Sequence, residues 1–261
     1  MGGFIGPVSN HFELSIKSQE IISNAKTSAD SPAKTKVSAI EVTISMETKM
    51  LGLERALRNT NDAVTLLQKT DGYLAESEEI LRRIRNLSIS GTSALPKEER
   101  HFLQVELSEL VDEVDRISSQ ANFNRLPLLD GNFSRIKPKA SMWFQTGYNV
   151  ADRDRLYLAT MSAAALSLRS PHSRRTISVH NQEKASIALK ATETGLARIK
   201  AQRSEIAGIS LKYEQKIHDL KIGLTSTSKS LDSAASETAI EAALQKIKIN
   251  LKQGKGNNAA N

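Results

Sequence analysis

The chain has 261 residues, a net charge of +7 and no cysteine. Only 4% of the residues are aromatic, which suits narrow seams between long helices better than a thick globular core. The lack of cysteine excludes disulfides, thiolate metal ligands and cysteine nucleophiles. No run approaches the roughly 18 apolar residues of a membrane helix, and the positive charge is dispersed without interleaved aromatics. We therefore expect neither membrane insertion nor specific nucleic-acid binding.

The N-terminal half of the chain predicts two helices. The first 20 residues lack the basic start and apolar stretch of a secretory signal, so we expect no cleaved signal peptide. A long helix is predicted over Ile40–Ser90, and a second helix begins after Pro96 and ends near Asn122. Apolar residues follow a 3-4 spacing at Met46, Met50, Leu53, Leu57, Val64, Leu67, Leu74 and Leu81, then at Leu103, Leu107, Leu110, Val114, Ile117 and Ala121.

The middle of the chain lacks the helical spacing of apolar residues and is rich in turn residues. Turn residues punctuate Phe123–Thr160, and the segments Ala140–Gln145 and Arg155–Thr160 are predicted to pair as a hairpin. Ser162–Leu168 is Ala-rich and predicts a short helix, while Arg169–Arg175 predicts an exposed loop.

A third helix is predicted over Asn181–Ser228. Its apolar residues are Leu189, Leu196, Ile199, Ile206, Tyr213, Ile217, Leu220 and Leu224. Ser226–Ser236 weakens this pattern, which resumes at Ile240 and ends in a tail from Gln253 that is predicted to lack order. The expected fold is mainly α, with long antiparallel helices forming a coiled-coil-like rod capped by a small β-hairpin.

Motifs for chemistry are missing from the sequence. The five histidines lack zinc-site spacing, no Gly-rich phosphate loop is present, and no G-x-S-x-G motif occurs. We expect no enzyme activity, no metal and no cofactor. The helical periodicity alone is equally compatible with a coiled-coil adaptor or regulator.

Several segments carry a more specific signal. They are Ala56–Leu74, Ile80–Leu87, Gln104–Ile117, Phe123-Asn124, Leu128–Gly131, Ser141–Asn149 and Tyr157–Met161. These segments resemble the N-terminal region of bacterial flagellins, and Met142-Trp143-Phe144 resembles the core flagellins of spirochaete periplasmic flagella. The resemblance covers residues 43–168 well and 185–225 more weakly.

The resemblance implies a domain plan. A D1 rod would contain two N-terminal helices with a hairpin (43–168) and one C-terminal helix (181–228), while the divergent ends (1–42 and 229–261) would correspond to D0. The exposed loop 169–180 is too short to contain outer D2 or D3 domains.

The resemblance also implies a structural subunit of the periplasmic flagellar filament, or otherwise an extracellular one, that acts in motility by self- or co-assembly. Expected partners are other flagellin subunits, an export chaperone and the filament cap, with export that needs no cleaved signal. The alternatives are a hook–filament junction protein and a flagellin-derived coiled-coil binding protein that never enters filaments.

The chain departs from the family pattern at both ends. Asn24–Lys36 lacks the usual N-terminal motifs, and Pro32 is expected to interrupt a helix there. Ser230–Ser236 and the lysine-bearing tail replace the usual C-terminal stretch. This pattern predicts a divergent flagellin that joins a filament built by a more regular one.

Twelve residues at the matched positions are candidates for fixing assembly or helix register. They are Arg58, Asn59, Arg85, Gln104, Glu106, Glu113, Arg116, Phe123, Asn124, Leu129, Asp130 and Gly131. Polar residues beside an apolar seam can fix register, and Asp130-Gly131 is a turn signal. For each residue, an ordinary contact within the chain is the competing interpretation.

Overall fold

The computed structural model describes residues 31–135, 141–171, 173 and 175–257. This part of the chain contains helices α1 (Ser31–Gly91), α2 (Lys97–Gln120) and α3 (Gln182–Asn257). It also contains strands β1 (Asn122–Phe123), β2 (Leu126–Pro127), β3 (Met142–Gln145) and β4 (Arg153–Leu156). Predictions for residues 1–30 and 258–261 lie outside the described residues.

The chain divides into two compact units. The larger unit contains Asn59–Thr146 and Arg153–Ile217, and the smaller unit takes its described residues from 31–58, 147–152 and 218–257. Within the larger unit, α1 and α3 are antiparallel, because Arg85 late in α1 contacts Glu193 early in α3, whereas Asp71 contacts Arg203.

Three helices and the β3–β4 hairpin enclose the core of the larger unit. Its most deeply buried apolar side chains include Leu66, Leu67, Leu74, Leu81, Ile84, Leu107, Val111, Val114, Leu128, Leu129, Leu156, Leu158, Ile199 and Tyr213. Small polar residues also lie in the seams, since the hydroxyls of Thr70, Ser88 and Thr192 donate to the carbonyl four residues earlier. Local bonds of this kind satisfy the buried hydroxyl groups. Small Thr and Ser side chains can therefore lie between the helices without an unpaired polar group.

The smaller unit has its own apolar cluster. Leu53, Ala56 and Leu220 are buried there, with Leu57 and Leu224 packed against them. The loop between β3 and β4 belongs to this unit, and a Cβ atom added at Gly52 would lie 3.1 Å from the Cβ of Tyr148. Glycine at position 52 therefore lets this loop approach α1 closely.

Both long helices extend further than the sequence predicted. α1 begins at Ser31, so Pro32 lies in its first turn and does not break this helix, and the prediction for the residues before it lies outside the described residues. The first turn tolerates proline, since its backbone N–H groups have no partner within the helix. The backbone of α3 is continuous through Ser226–Ser236 and reaches Asn257, which corrects the predicted weak segment and part of the predicted tail. Asn181 precedes this helix and caps it, because its Oδ1 accepts a bond from Lys184 N at 2.7 Å.

The predicted hairpin is confirmed with a shift in its second strand. Met142 pairs with Leu156 and Gln145 with Arg153, so the second strand starts two residues earlier than expected. The β1–β2 hairpin was not predicted. Its two turn residues, Asn124 and Arg125, have φ angles of 47° and 65°, as a type I′ turn requires.

Two predictions around residues 162–175 need correction. The Ala-rich segment Ser162–Leu168 forms a single turn and not a helix, since Ser167 adopts a φ of 67° and Leu168 N bonds back to Ala163 O. Arg169 is not part of an exposed loop, because its guanidinium donates to Asp112 and, at 2.6 Å, to Asp115. Val179, near the end of the predicted exposed segment 169–180, is fully buried.

Candidate assembly interface

Gln104 is the candidate register residue with the most specific contacts. Its Nε2 donates to Ile177 O at 3.3 Å, and its Oε1 accepts a bond from Val179 N at 2.8 Å. The side-chain amide therefore forms with the segment before α3 the same kind of donor and acceptor bonds that a neighbouring β-strand would form. These contacts lie within one chain, so they fix the fold of the larger unit.

The charged candidates also find partners within the chain. Arg85 donates to Glu193 at 3.3 Å, and Glu106 accepts a bond from Arg83 at 2.7 Å. Arg116 bonds to Glu113 and Gln120 on its own helix. The Arg85–Glu193 and Arg83–Glu106 pairs are well exposed to solvent, so each contributes under about 1 kcal/mol to stability. Beside Arg116, the pKa of the Glu113 carboxyl is lowered.

The candidates between residues 123 and 131 build the turn after α2. Leu129 is fully buried, and its carbonyl accepts bonds from Met161 N and the Ser118 hydroxyl. Phe123 packs against the core, and Asn124 supplies one of the positive φ angles of the turn. Asp130 Oδ1 accepts a bond from Asn132 N at 2.9 Å.

Gly131 is the candidate whose backbone demands glycine. Its φ of 95° is unfavourable for residues with a Cβ, and an added Cβ atom would clash with Thr160 Oγ1. Arg58, in contrast, is exposed on α1, while Asn59 is half-buried. The twelve candidates are therefore distributed along the chain and do not gather at one site.

Arg100 is a structural residue that the sequence did not indicate. It is only 8% exposed, and its guanidinium donates to the carbonyl oxygens of Gly91 (2.7 Å), Ser93 (2.6 Å), Leu95 (3.3 Å) and Val179 (3.1 Å). Helix carbonyls at a C-terminus carry partial negative charge and lack partners within the helix. Arg100 therefore caps the end of α1 and ties it to the segment before α3.

Glu78 and Arg203 form a second polar contact between helices. Glu78, 6% exposed on α1, accepts bonds from Arg82 at 2.7 Å and from Arg203 of α3 at 2.8 Å. Arg203 also donates to Asp71 at 2.8 Å. The hydrogen bonds from Arg82 and Arg203 lower the pKa of the Glu78 carboxyl below its usual range.

Replacing Glu78 with glutamine is expected to lower the free energy of unfolding by about 2 kcal/mol at pH 7, since two charge-assisted bonds weaken. A lowered folded-state pKa stabilises the fold above the ordinary pKa of 4.5, and this contribution disappears as the pH falls below that value. The difference between parent and variant should therefore shrink at pH 3 in urea unfolding. Glu79→Gln, at the exposed neighbouring position, is the control and should change stability little at either pH.

An exposed row of side chains follows the outer side of α2, which we call the outer α2 stripe. It consists of Glu98, Phe102, Val105, Glu109 and Asp112. These positions are spaced 4, 3, 4 and 3 residues apart, so they lie on one face of the helix. Phe102 is 72% exposed and Val105 44% exposed, although helices normally bury such residues.

A second exposed surface lies on the β3–β4 hairpin, which we call the arginine–aromatic face. It consists of Arg135, Trp143, Arg153, Arg155 and Tyr157. Arginines and rings alternate: Arg153 lies 5.1 Å from the Trp143 ring centre, Arg155 lies 4.9 Å from that of Tyr157, and Arg135 lies 4.8 Å from the same ring. Trp143 pairs with Arg155 across the strands and is 51% exposed. Cation–π contacts hold the guanidinium groups in an ordered row.

The described residues contain neither a cluster of metal ligands nor a membrane-spanning helix. Within this part of the chain, no three His, Asp or Glu side chains are grouped closely enough to hold a metal ion. The helices of the same residues also include none with the length and apolar content needed to cross a membrane.

Comparison with known proteins identifies the family. The family model of the bacterial flagellin N-terminal helical region matches residues 21–134. A flagellar filament core protein of Brachyspira hyodysenteriae is 36% identical over 219 residues, which represent 80% of this chain and 76% of the relative. The chain belongs to the bacterial flagellin family. This result confirms the predicted family and the predicted structural role in a filament, and neither alternative function is favoured.

Solved structures agree on the fold. The Bacillus cereus flagellin has a TM-score of 0.52 and 22% identity, and the match covers 62% of this chain and 88% of that one. A Vibrio parahaemolyticus protein described as flagellar hook-associated has a TM-score of 0.59 and 13% identity, with 78% and 98% covered. At these identities the likeness establishes the fold alone, and the predicted mainly α class is confirmed.

Proposed function

We propose that the chain is a structural subunit of a periplasmic flagellar filament and contributes to motility by assembling with other flagellin subunits. The relationship to a filament core protein over most of both chains carries this proposal. The larger unit adds physical support, because Phe102 and Trp143 are large apolar side chains exposed on its surface. Exposed apolar groups of this size are typical of surfaces that another protein covers.

The finer features of the proposal come from the sequence. The divergent ends, 1–42 and 229–261, would act as D0-like segments, and the chain would co-assemble with a more regular flagellin. Export through the flagellar channel without a cleaved signal, with an export chaperone and the filament cap as partners, completes the proposed route. Arg58 and Asn59 are retained as proposed register residues, since Arg58 is exposed on α1.

Sedimentation and negative-stain electron microscopy of the purified full chain test this proposal. The chain is incubated alone and in a mixture with the major flagellin from the same cells. Filaments in the first tube would support self-assembly, and pelleting in the mixture alone would support co-assembly. A chain that stays in the supernatant of both tubes would contradict the proposed function and would favour a binding protein outside the filament.

A further inference from the structure

The outer α2 stripe and the arginine–aromatic face have opposite charge. Glu98 and Glu109 are exposed beside Phe102 on the stripe, and neither carboxylate forms an ion pair within the described residues. Arg153 and Arg155 likewise form no ion pair with any described carboxylate, and the buried Nε of Arg155 has no hydrogen-bond partner there. Each surface thus combines exposed apolar groups with two unpaired charges of one sign, whereas Arg135 and Asp112 are paired within the chain with Glu205 and Arg169.

The beginning of the outer α2 stripe and the arginine–aromatic face lie at different levels of the larger unit. The first turns of α2 lie next to the start of α3, because Gln104 and Arg100 bond to Val179. The hairpin lies further along α3, since Arg135 donates to Glu205 at 2.6 Å. Glu205 follows the first residue of α3, Gln182, by 23 residues, which corresponds to about 35 Å of helix. The first turns of the stripe, with Glu98 and Phe102, therefore do not reach the arginine–aromatic face of the same chain.

We propose that the outer α2 stripe of one copy of this chain docks on the arginine–aromatic face of the next copy. This inference rests on the proposed function and adds the contact that links successive subunits. Because two different surfaces meet, the contact is heterologous and can repeat without closing, which is the geometry of a filament. Phe102 and Trp143 supply aromatic anchors, and the arginines supply donors suited to carboxylates.

Charge reversal in two variants tests the pairing. A face-reversed chain carries Arg153→Glu and Arg155→Glu, and a stripe-reversed chain carries Glu98→Lys and Glu109→Lys. Alone, each variant brings like charges together, so its critical concentration for assembly should rise on the order of tenfold or more. In an equimolar mixture, every contact between the two variants pairs opposite charges. The mixture should therefore assemble at a concentration within about threefold of the parent chain.

A matched control carries Lys190→Glu and Lys200→Glu, which change charge by the same amount at exposed positions of α3. This control should assemble as the parent does. Far-UV circular dichroism and thermal unfolding of the monomers show whether every variant is folded, so that loss of assembly is not mistaken for loss of structure.

The remaining outcomes overturn the inference in distinguishable ways. Reversed chains that assemble like the parent would exclude both surfaces from the contact and leave the proposed function intact. A mixture that fails to assemble, when both reversed chains are folded, would exclude their pairing. If the parent assembles only with another flagellin, the proposed function stands and docking between copies of this chain is excluded. A parent that never assembles would exclude both.

Discussion

Replacing Arg100 with methionine is expected to lower the free energy of unfolding by about 3 kcal/mol at pH 7. The guanidinium is buried and donates to four carbonyl oxygens, those of Gly91, Ser93, Leu95 and Val179. Methionine keeps the aliphatic part of the side chain but supplies no donor, so the Gly91 and Val179 oxygens, whose bonds to Arg100 are buried, lose that donor. Unpaired buried carbonyls each cost roughly 1–3 kcal/mol, and some of them can recover bonds to water.

Urea unfolding followed by far-UV circular dichroism measures this loss. Arg100→Lys keeps the positive charge but not the planar fork of donors, so its stability should fall between those of the parent and the methionine variant. Arg116→Met is the control on the same helix, because Arg116 is exposed and donates hydrogen bonds only to residues of α2. It should change stability little. An equal loss at the two positions would show that Arg100 does not cap α1.

The long helices could be predicted because burial imposes a period on the sequence. Apolar residues at 3-4 intervals place Leu67, Leu74 and Leu81 on one face of α1, and all three are fully buried. The same spacing located α3 around Leu196 and Ile206. Helix ends were less predictable, because proline and the serine-rich segment weaken a helix without fixing where it stops.

Contacts between segments that are far apart in the sequence leave no periodic pattern from which they can be predicted. Arg100 bonds to Val179, which lies 79 residues away, and nothing near either residue indicates the other. Asn124 and Arg125 adopt positive φ angles, but arginine is not typical of such positions, so the β1–β2 turn was missed. The arginine–aromatic face was missed for the same reason, because the hairpin brings together residues from three separate segments.

The candidate register residues illustrate a different limit. Heptad spacing predicts that a seam exists, but it does not state whether the partner helix belongs to the same chain. Gln104 and Arg85 contact residues of their own larger unit, so their positions beside a seam are explained without a second subunit. Phe102 and Val105 are the exposed apolar side chains of α2 that another subunit can cover. They lie on the face of α2 that points away from its buried seam.

Replacing Gly195 with valine is also expected to cost about 3 kcal/mol, whereas the same change at Gly208 should alter stability by under about 0.5 kcal/mol. Both glycines lie in α3, where residues other than proline are normally favoured over glycine. A Cβ atom at Gly195 would lie 2.9 Å from the carbonyl oxygen of Leu166 and 2.9 Å from Cδ2 of Leu81. At Gly208 no atom lies within 4 Å of that position.

Relieving the clash at Gly195 would require moving a backbone atom, because the atom closest to the added Cβ is the carbonyl oxygen of Leu166. Leu166 lies in the turn that follows Ser162, where its own N–H bonds to Ser162 O at 2.9 Å, so moving its carbonyl would disturb that turn. Thermal and urea unfolding of both valine variants measure the difference. Equal stability of the two variants would mean that the turn can move away from α3. A loss confined to Gly195 would show that glycine allows α3 to pack directly against the backbone of the turn.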